Sequence, residues 1–210
     1  MIEQYSNEWF DLRLGKITSS GLSALMTEPK SKSDILSEGA KTYLKTKVTE
    51  KLTRSRKEFQ SEATSHGLML EQEALSYYAF ITGNKVSECG YMEKISGVYG
   101  GTPDGFVNND GIVQIKCPFN YLNHVENGLI TDIETFKRKH KDYYWQCQSD
   151  ILVSGRNYCD FASYCKEMPD DLRMFIFRIE PNLDDLELML EKIRLGVEFM
   201  DKIEELLRCR

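Results

Sequence analysis

The residues of this chain with the clearest chemical potential lie in two short runs near its middle. They are Gly100-Gly101-Thr102-Pro103-Asp104-Gly105 and Val113-Gln114-Ile115-Lys116-Cys117-Pro118. Side chains at i and i+2 of a strand share a face, so Gln114 and Lys116 project together while Val113 and Ile115 enter the core. Between the runs, Asn108-Asn109-Asp110-Gly111 has the composition of a hairpin turn, and pairing across it lets Asp104 reach the face of Gln114 and Lys116. An aspartate, a second oxygen donor and a lysine in one pocket suit phosphodiester hydrolysis. Oxygen donors hold a hard dication such as Mg²⁺, which polarises the phosphate and lowers the pKa of a water, while the lysine stabilises charge or orients that water. A strand that merely alternates polar residues after a Thr-Pro-Asp-Gly turn would carry the same letters. On these residues alone the catalytic and the purely structural readings stand level.

The elements that must position this hairpin can be read on either side of it. Ser19 and Ser20 can cap a short helix through Met26, and a second helix carries apolar positions Ala40, Tyr43, Leu44, Val48 and Leu52 after the polar loop from Pro29 to Asp34. A third runs from about Glu62 to Thr82 and stops at Gly83. Strand-like runs follow near Lys85 to Glu88, Tyr91 to Ile95, Asp104 to Val107 and Gly111 to Lys116. Helices resume at Phe119 to Asn127 and His140 to Val153, then come strands Tyr158 to Cys165 and Arg173 to Ile179 and a long helix from about Leu183 to Leu207. This order predicts an α/β fold with a central mixed sheet flanked by helices. With 210 residues, no repeat and no Pro/Gly/Ser linker, the whole chain, 1–210, reads as one domain whose central hairpin, 98–118, carries the chemistry.

Composition narrows the class. Hydrophobic residues at 41% and charged residues at 29% provide for a packed core and argue against disorder. No apolar stretch approaches the roughly 18 residues of a membrane helix, and the first residues lack a basic and then apolar export signal, so a cytoplasmic protein with no membrane partner is expected. The six cysteines form no Cys-x-x-Cys pair and the three histidines are scattered, which argues against zinc and favours reduced thiols. The net charge of −6 is unevenly distributed. Glu180 to Glu205 alone has a balance of −6, whereas Lys41 to Lys57 has one of +6 and includes Lys45, Lys47, Lys51 and Arg54. A local basic stripe, more than the total, attracts a polyanion, although a lone run of this kind is also what a solvated helix face looks like.

Further motifs agree in order along the chain. Arg13-Leu14-Gly15-Lys16-Ile17-Thr18-Ser19-Ser20, Gly67-Leu68-Met69-Leu70-Glu71-Gln72-Glu73-Ala74 and Gln146-Cys147-Gln148 accompany the Pro-Asp and Gln-Ile-Lys runs. Over nearly its full length the chain resembles the lambda-exonuclease (YqaJ-type viral recombinase) family of PD-(D/E)XK nucleases. The resemblance implies a restriction-endonuclease-like core and Mg²⁺-dependent digestion, with Mn²⁺ as substitute, of one strand of linear duplex DNA from 5′ to 3′. It also implies a ring-shaped homotrimer, a single-strand annealing recombinase as partner and a phage or prophage gene acting in the bacterial cytosol. Residue by residue, it makes Asp104 a metal ligand, Lys116 the catalytic lysine, Glu71 a metal-supporting carboxylate and the Ile115 carbonyl a further ligand. Arg13, Ser20 and Lys30 match a pocket for the 5′-phosphate; an arginine fork plus a hydroxyl is a sound phosphate clamp. Gln146 and Gln148, two apart on a helix, are expected to divide into one active-site and one structural residue. Glu73 reads as an exposed helix carboxylate, and Trp9 and Trp145 read as core aromatics.

One position departs from the pattern. Residue 114 should be Glu or Asp and is Gln. An amide oxygen can still touch a metal, but the site loses a negative charge, so metal binding and catalysis should weaken. Either the residue was changed to trap uncleaved DNA or the chain is a natural variant of low activity, and the intact Asp104, Lys116 and Glu71 favour the first. The rival functions are a non-catalytic DNA-end-binding protein and a structure-specific endonuclease on the same core.

Overall fold

The computed structural model describes residues 4–31, 33–56 and 62–209. Lys57, the last cation of the basic segment, lies outside the described residues. The chain opens with helix α1 (Asn7–Arg13), capped by Ser6, whose hydroxyl accepts from the Trp9 amide. A two-residue strand β1 (Ile17–Thr18) and a 3-10 turn (Ser19–Ala24) follow. The expected α-helix after Ser19 is therefore a 3-10 turn, and neither serine caps it. Thr18 occupies the cap without a side-chain bond, and the two serine hydroxyls are engaged elsewhere.

Helix α2 (Glu38–Thr53) is capped by Ser37 and buries Ala40, Leu44 and Val48, while Leu52 stays exposed beyond the contact. Helix α3 (Glu62–Thr82) ends where Gly83 takes φ 68°, a left-handed conformation that glycine adopts without strain. Strands β2 (Val86–Ser87), β3 (Met92–Ile95), β4 (Tyr99–Gly101), β5 (Gly105–Val107) and β6 (Gly111–Lys116) form the centre. Helices α4 (Tyr121–Gly128), α5 (Ile133–Lys139) and α6 (Lys141–Ser154) precede β7 (Tyr158–Tyr164) and β8 (Met174–Ile179), and α7 (Leu183–Arg208) closes the chain.

Two sheets result. The larger is mixed, in the order β2-β5-β6-β7-β8, with only the β6–β7 pair parallel. Its hairpin pairs Val107 with Gly111 across three turn residues, and Asn108 takes the left-handed conformation there. The smaller sheet, β1-β4-β3, was not legible beforehand, because β1 and β4 are two and three residues long. It matters for the site: parallel pairing of Ile17 with Tyr99 and Thr18 with Gly100 lays the segment after Arg13 beside the approach to Asp104.

The large sheet buries both faces. On one, Ile112, Cys159, Phe161 and Ile179 pack with residues of α2, α5, α6 and α7. On the other, Val113, Ile115, Ala162 and Tyr164 pack with Leu70, Ala74 and Tyr78 of α3. Val113 and Ile115 thus enter the core as expected, which leaves Gln114 and Lys116 on the side of α6.

The acidic α7 does not lie apart from the basic α2. The two helices pack together, with Gly196 close enough to Leu44 that an added Cβ would stand 3.1 Å from the leucine methyl, and Lys51 pairs with Glu204 at 2.5 Å. Lys47 pairs with Glu50 at 2.9 Å and Lys41 with Glu38 at 2.7 Å. Lys45 and Arg54 are exposed. Apolar packing of Leu44 and Val48 brought the oppositely charged helices side by side, so much of the α2 stripe is neutralised locally.

Candidate active site

The end of β6, α3, α6 and the segment Arg13–Ser20 converge on a cavity of about 230 Å³. Gln4, Tyr5, Trp9, Arg13, Ser19, Ser20, Glu71, Thr102, Asp104, Gln114, Ile115, Lys116 and Gln146 line it. Asp104 stands just before β5, and its Oδ2 accepts from the Ile115 amide at 2.6 Å and from Gln114 Nε2 at 2.5 Å. The other end of the Gln114 amide accepts from Gln146 Nε2 at 3.0 Å, and Gln146 Oε1 in turn accepts from Lys116 Nζ at 3.3 Å. A continuous chain of donors therefore runs from Lys116 through both glutamines to Asp104. Every amide in it is oriented, and the NH₂ of Gln114 faces the carboxylate.

Glu71 arrives from α3 on the opposite face of the sheet, and its Oε2 accepts from the Tyr5 hydroxyl at 2.9 Å. Burial, and then the charge of Asp104, push Glu71 up to about 7. Burial likewise raises Asp104, against the opposing pull of Lys116 and its two hydrogen bonds. Two carboxyls raised by burial, one of them also by the charge of the other, mark a place short of positive charge. Asp104, Glu71 and the Ile115 carbonyl are oxygen donors of the kind Mg²⁺ takes, and this donor set fits one dication. Among the described residues no group of three or more His, Cys, Asp or Glu side chains is placed to hold a metal ion, and position 114, beside Asp104, carries an amide.

At the other end of the cavity, Arg13 donates through Nη2 to Ser20 Oγ at 3.2 Å and lies 4.0 Å above the Trp9 ring. Trp9 is buried and donates from its indole to Thr102 Oγ1 at 3.1 Å. The arginine is thereby held by stacking and by a hydroxyl instead of a carboxylate. Lys30 is exposed on the loop beyond the 3-10 turn and does not line the cavity. Gln146 and Gln148 divide their work: Gln148 is fully buried, donating to the Glu180 carbonyl at 2.8 Å and accepting from the Asn182 amide at 3.0 Å. Glu73 accepts from the Tyr164 hydroxyl at 2.6 Å.

Sequence reasoning missed three residues here. Tyr5 and Gln4 are far from the hairpin in sequence, and Gln4 Nε2 clamps the Cys89 and Pro103 carbonyls at 3.1 and 3.0 Å. The third is Asp150, one helical turn after Gln146 on α6, fully buried with neither carboxyl oxygen hydrogen-bonded. Burial pushes it up to about 7. Its Oδ1 and the Ser19 hydroxyl crowd Gly101 so closely that a Cβ there would stand 2.7 and 2.0 Å from them. The i, i+4 spacing from Gln146 was the available signal.

Comparison with known proteins agrees with this geometry. No curated protein sequence matches the chain. The fold superposes on the alkaline exonuclease LHK-Exo from Laribacter hongkongensis with a TM-score of 0.81, at 32% identity and 97% coverage of both chains. A second structure of LHK-Exo, in complex with dAMP, matches at 33% identity with the same TM-score and coverage. A phage-related exonuclease from Haemophilus somnus 129PT shares the fold, with TM-score 0.77, 18% identity and coverage of 91% of this chain and 96% of that one. The core is thus of the restriction-endonuclease-like type. The family model for the YqaJ-like viral recombinase domain matches residues 8–157, and the chain belongs to that family.

Proposed function

We propose that this protein is an exonuclease of the lambda-exonuclease type that digests one strand of linear duplex DNA from 5′ to 3′ with Mg²⁺, or Mn²⁺ in its place. The 3′ single-stranded overhangs it leaves feed recombination by a single-strand annealing protein. The observation that carries this reading is the meeting, in one cavity, of Asp104, Lys116, Glu71 and Gln146 with Arg13 and Ser20. The first group suits cleavage of a phosphodiester and the second suits capture of a terminal phosphate. That a relative has been solved with dAMP supports the reading, because a mononucleotide is what an exonuclease releases.

In this mechanism Arg13 and Ser20 hold the 5′-phosphate and set the register of the strand, a positioning role typical of phosphate contacts. Lys116, held by Gln146 and 5.2 Å from the centre of the Tyr143 ring, supplies positive charge where the scissile phosphate gathers negative charge. Asp104, Glu71 and the Ile115 carbonyl would hold the dication, which when bound supplies Lewis acidity and activates water. Burial and the charge of Asp104 raise Glu71 in the metal-free site, and a bound dication would hold it ionised as a ligand. Gln114 instead offers its NH₂ to Asp104 and leaves the donor set one charge short, so this chain is a weakened enzyme.

The Gln114–Asp104 bond also favours the rival reading, a DNA-end-binding protein without catalysis. Incubation with Mg²⁺ and either 5′-phosphorylated linear duplex or closed circular DNA separates the readings. Slow loss of the linear form alone supports the exonuclease, protection without loss supports the end-binder, and nicking of the circle supports an endonuclease. A closed ring of three subunits would keep such an enzyme on its track, and we include the homotrimer, together with action in the bacterial cytosol from a phage or prophage gene, in the proposal.

A further inference from the structure

Beside the active site lies a second depression, of about 350 Å³, lined by Arg138, Lys139, His140, Lys141, Asp142 and Tyr143 where α5 meets α6. Its cations differ from most of those of α2, where Lys45 and Arg54 alone stand exposed without an ion pair among the described residues. Lys41, Lys47 and Lys51 each pair with a carboxylate, whereas among the described residues Arg138, Lys139 and Lys141 are exposed and form no ion pair. The neighbouring Lys137 turns the other way, to Asp185 at 2.6 Å beneath Tyr144 and Trp145, and so pins the corner while the next three cations face solvent. His140 is stacked on Tyr143 at 5.6 Å and 16°, and its buried Nε2 has no hydrogen-bond partner. The depression adjoins the catalytic cavity: the ring of Tyr143, which lines the one, lies 5.2 Å from Nζ of Lys116, which lines the other.

Three cations without an ion pair, against Asp142 in the depression and the nearby Asp132 whose carboxyl Arg138 helps to lower, sit next to the lysine that meets the scissile phosphate and form a surface for an extended polyanion. In a chain of net charge −6 such a patch runs against the average. We infer that the DNA beyond the scissile phosphate crosses the α5–α6 corner, with its backbone on Arg138, Lys139 and Lys141, and does not run along α2. The inference rests on the nuclease reading and extends it to the course of the substrate. It moves the DNA-facing surface from the helix that looks most basic in sequence to the one whose charges remain available in the fold.

The test is equilibrium binding of a fluorescent, 5′-phosphorylated linear duplex by anisotropy over a salt series, with Ca²⁺ in place of Mg²⁺ to prevent digestion. The variants are Arg138→Gln/Lys139→Gln/Lys141→Gln and, for comparison, Lys45→Gln/Arg54→Gln; all five side chains are exposed, so both proteins should fold. Each phosphate contact contributes about 0.9 to the slope of log affinity against log salt, so the triple variant should flatten that slope by about 2 to 3. The double variant should keep the parent slope. An unchanged slope in the triple variant, or a loss confined to the double one, overturns the inference and leaves the nuclease reading intact. A parent protein that binds no duplex at low salt overturns both.

Discussion

Replacing Gln114 by Glu probes the site most deeply. In the structure the Gln114 NH₂ donates to Asp104 at 2.5 Å, so a carboxylate in the same rotamer would place an oxygen against an oxygen, the one at position 114 buried. For charge centres about 4 Å apart at an effective dielectric near 20, the repulsion is about 4 kcal/mol. Without metal the pair should keep a shared proton into the neutral range and lower the melting temperature. A dication relieves the repulsion, so Gln114→Glu should bind Mg²⁺ up to about a thousandfold more tightly, the equivalent of that energy. Activity on linear duplex should rise by roughly two or more orders of magnitude, a common size for effects at metal sites. Gln146 can still donate to the new carboxylate, so the orientation of Lys116 survives. Calorimetric titration with Mg²⁺, melting with and without metal, and a nuclease assay read the three effects. Equal metal affinity and equal activity in the two proteins would refute the reasoning, and tighter metal binding with no activity would favour the end-binding reading.

Other perturbations read other parts of the account. Arg13→Ala in the Gln114→Glu background should abolish the faster digestion of 5′-phosphorylated over 5′-hydroxyl duplex while leaving overall affinity largely intact; a surviving preference removes Arg13 from the phosphate end. Asp150 is held protonated in the fold, with its ionisation raised from 3.8 to about 7, so its contribution to stability is full below the unfolded value and is lost as pH rises toward 7. Over about three pH units that loss is on the order of 4 kcal/mol. Asp150→Asn should therefore melt higher than the parent at pH 8.5 and nearly alike at pH 4.5; a pH-independent difference would show that the carboxyl does not titrate in this way. Light scattering should give the mass of a trimer at micromolar concentration, and a monomer would count against the ring.

Much of this arrangement was legible in the sequence because local signals and tertiary packing agree. The period-2 alternation Val113-Gln114-Ile115-Lys116 and the Asn-rich turn placed Gln114 and Lys116 on one face with Asp104. Helix α3, with its glycine stop, carried Glu71 to the pocket. What stayed hidden depends on long-range contacts. Strands β1 and β4 are too short to show a period, yet they bring Ser19 and Ser20 beside Thr102. Helix α5 is one short segment capped by Asp132, and the sequence around it has no clear apolar stripe. Asp150 looks like an ordinary helix carboxylate until packing buries it, and the basic look of α2 gave no sign that α7 would pair with Lys51. Charge patterns report which ions a segment carries, whereas only the fold decides which of them stay unpaired.

The central claim, removal of nucleotides from the 5′ end of a duplex, is tested most directly by labelling. A linear duplex carrying one 5′-phosphate, with a different dye on each strand, is incubated with Mg²⁺ and the Gln114→Glu protein, and the products are resolved by size over time. The account predicts stepwise release of mononucleotides from the 5′-phosphorylated strand while the complementary strand stays full length. Internal cuts, loss from the 3′ end, or two intact strands would contradict it.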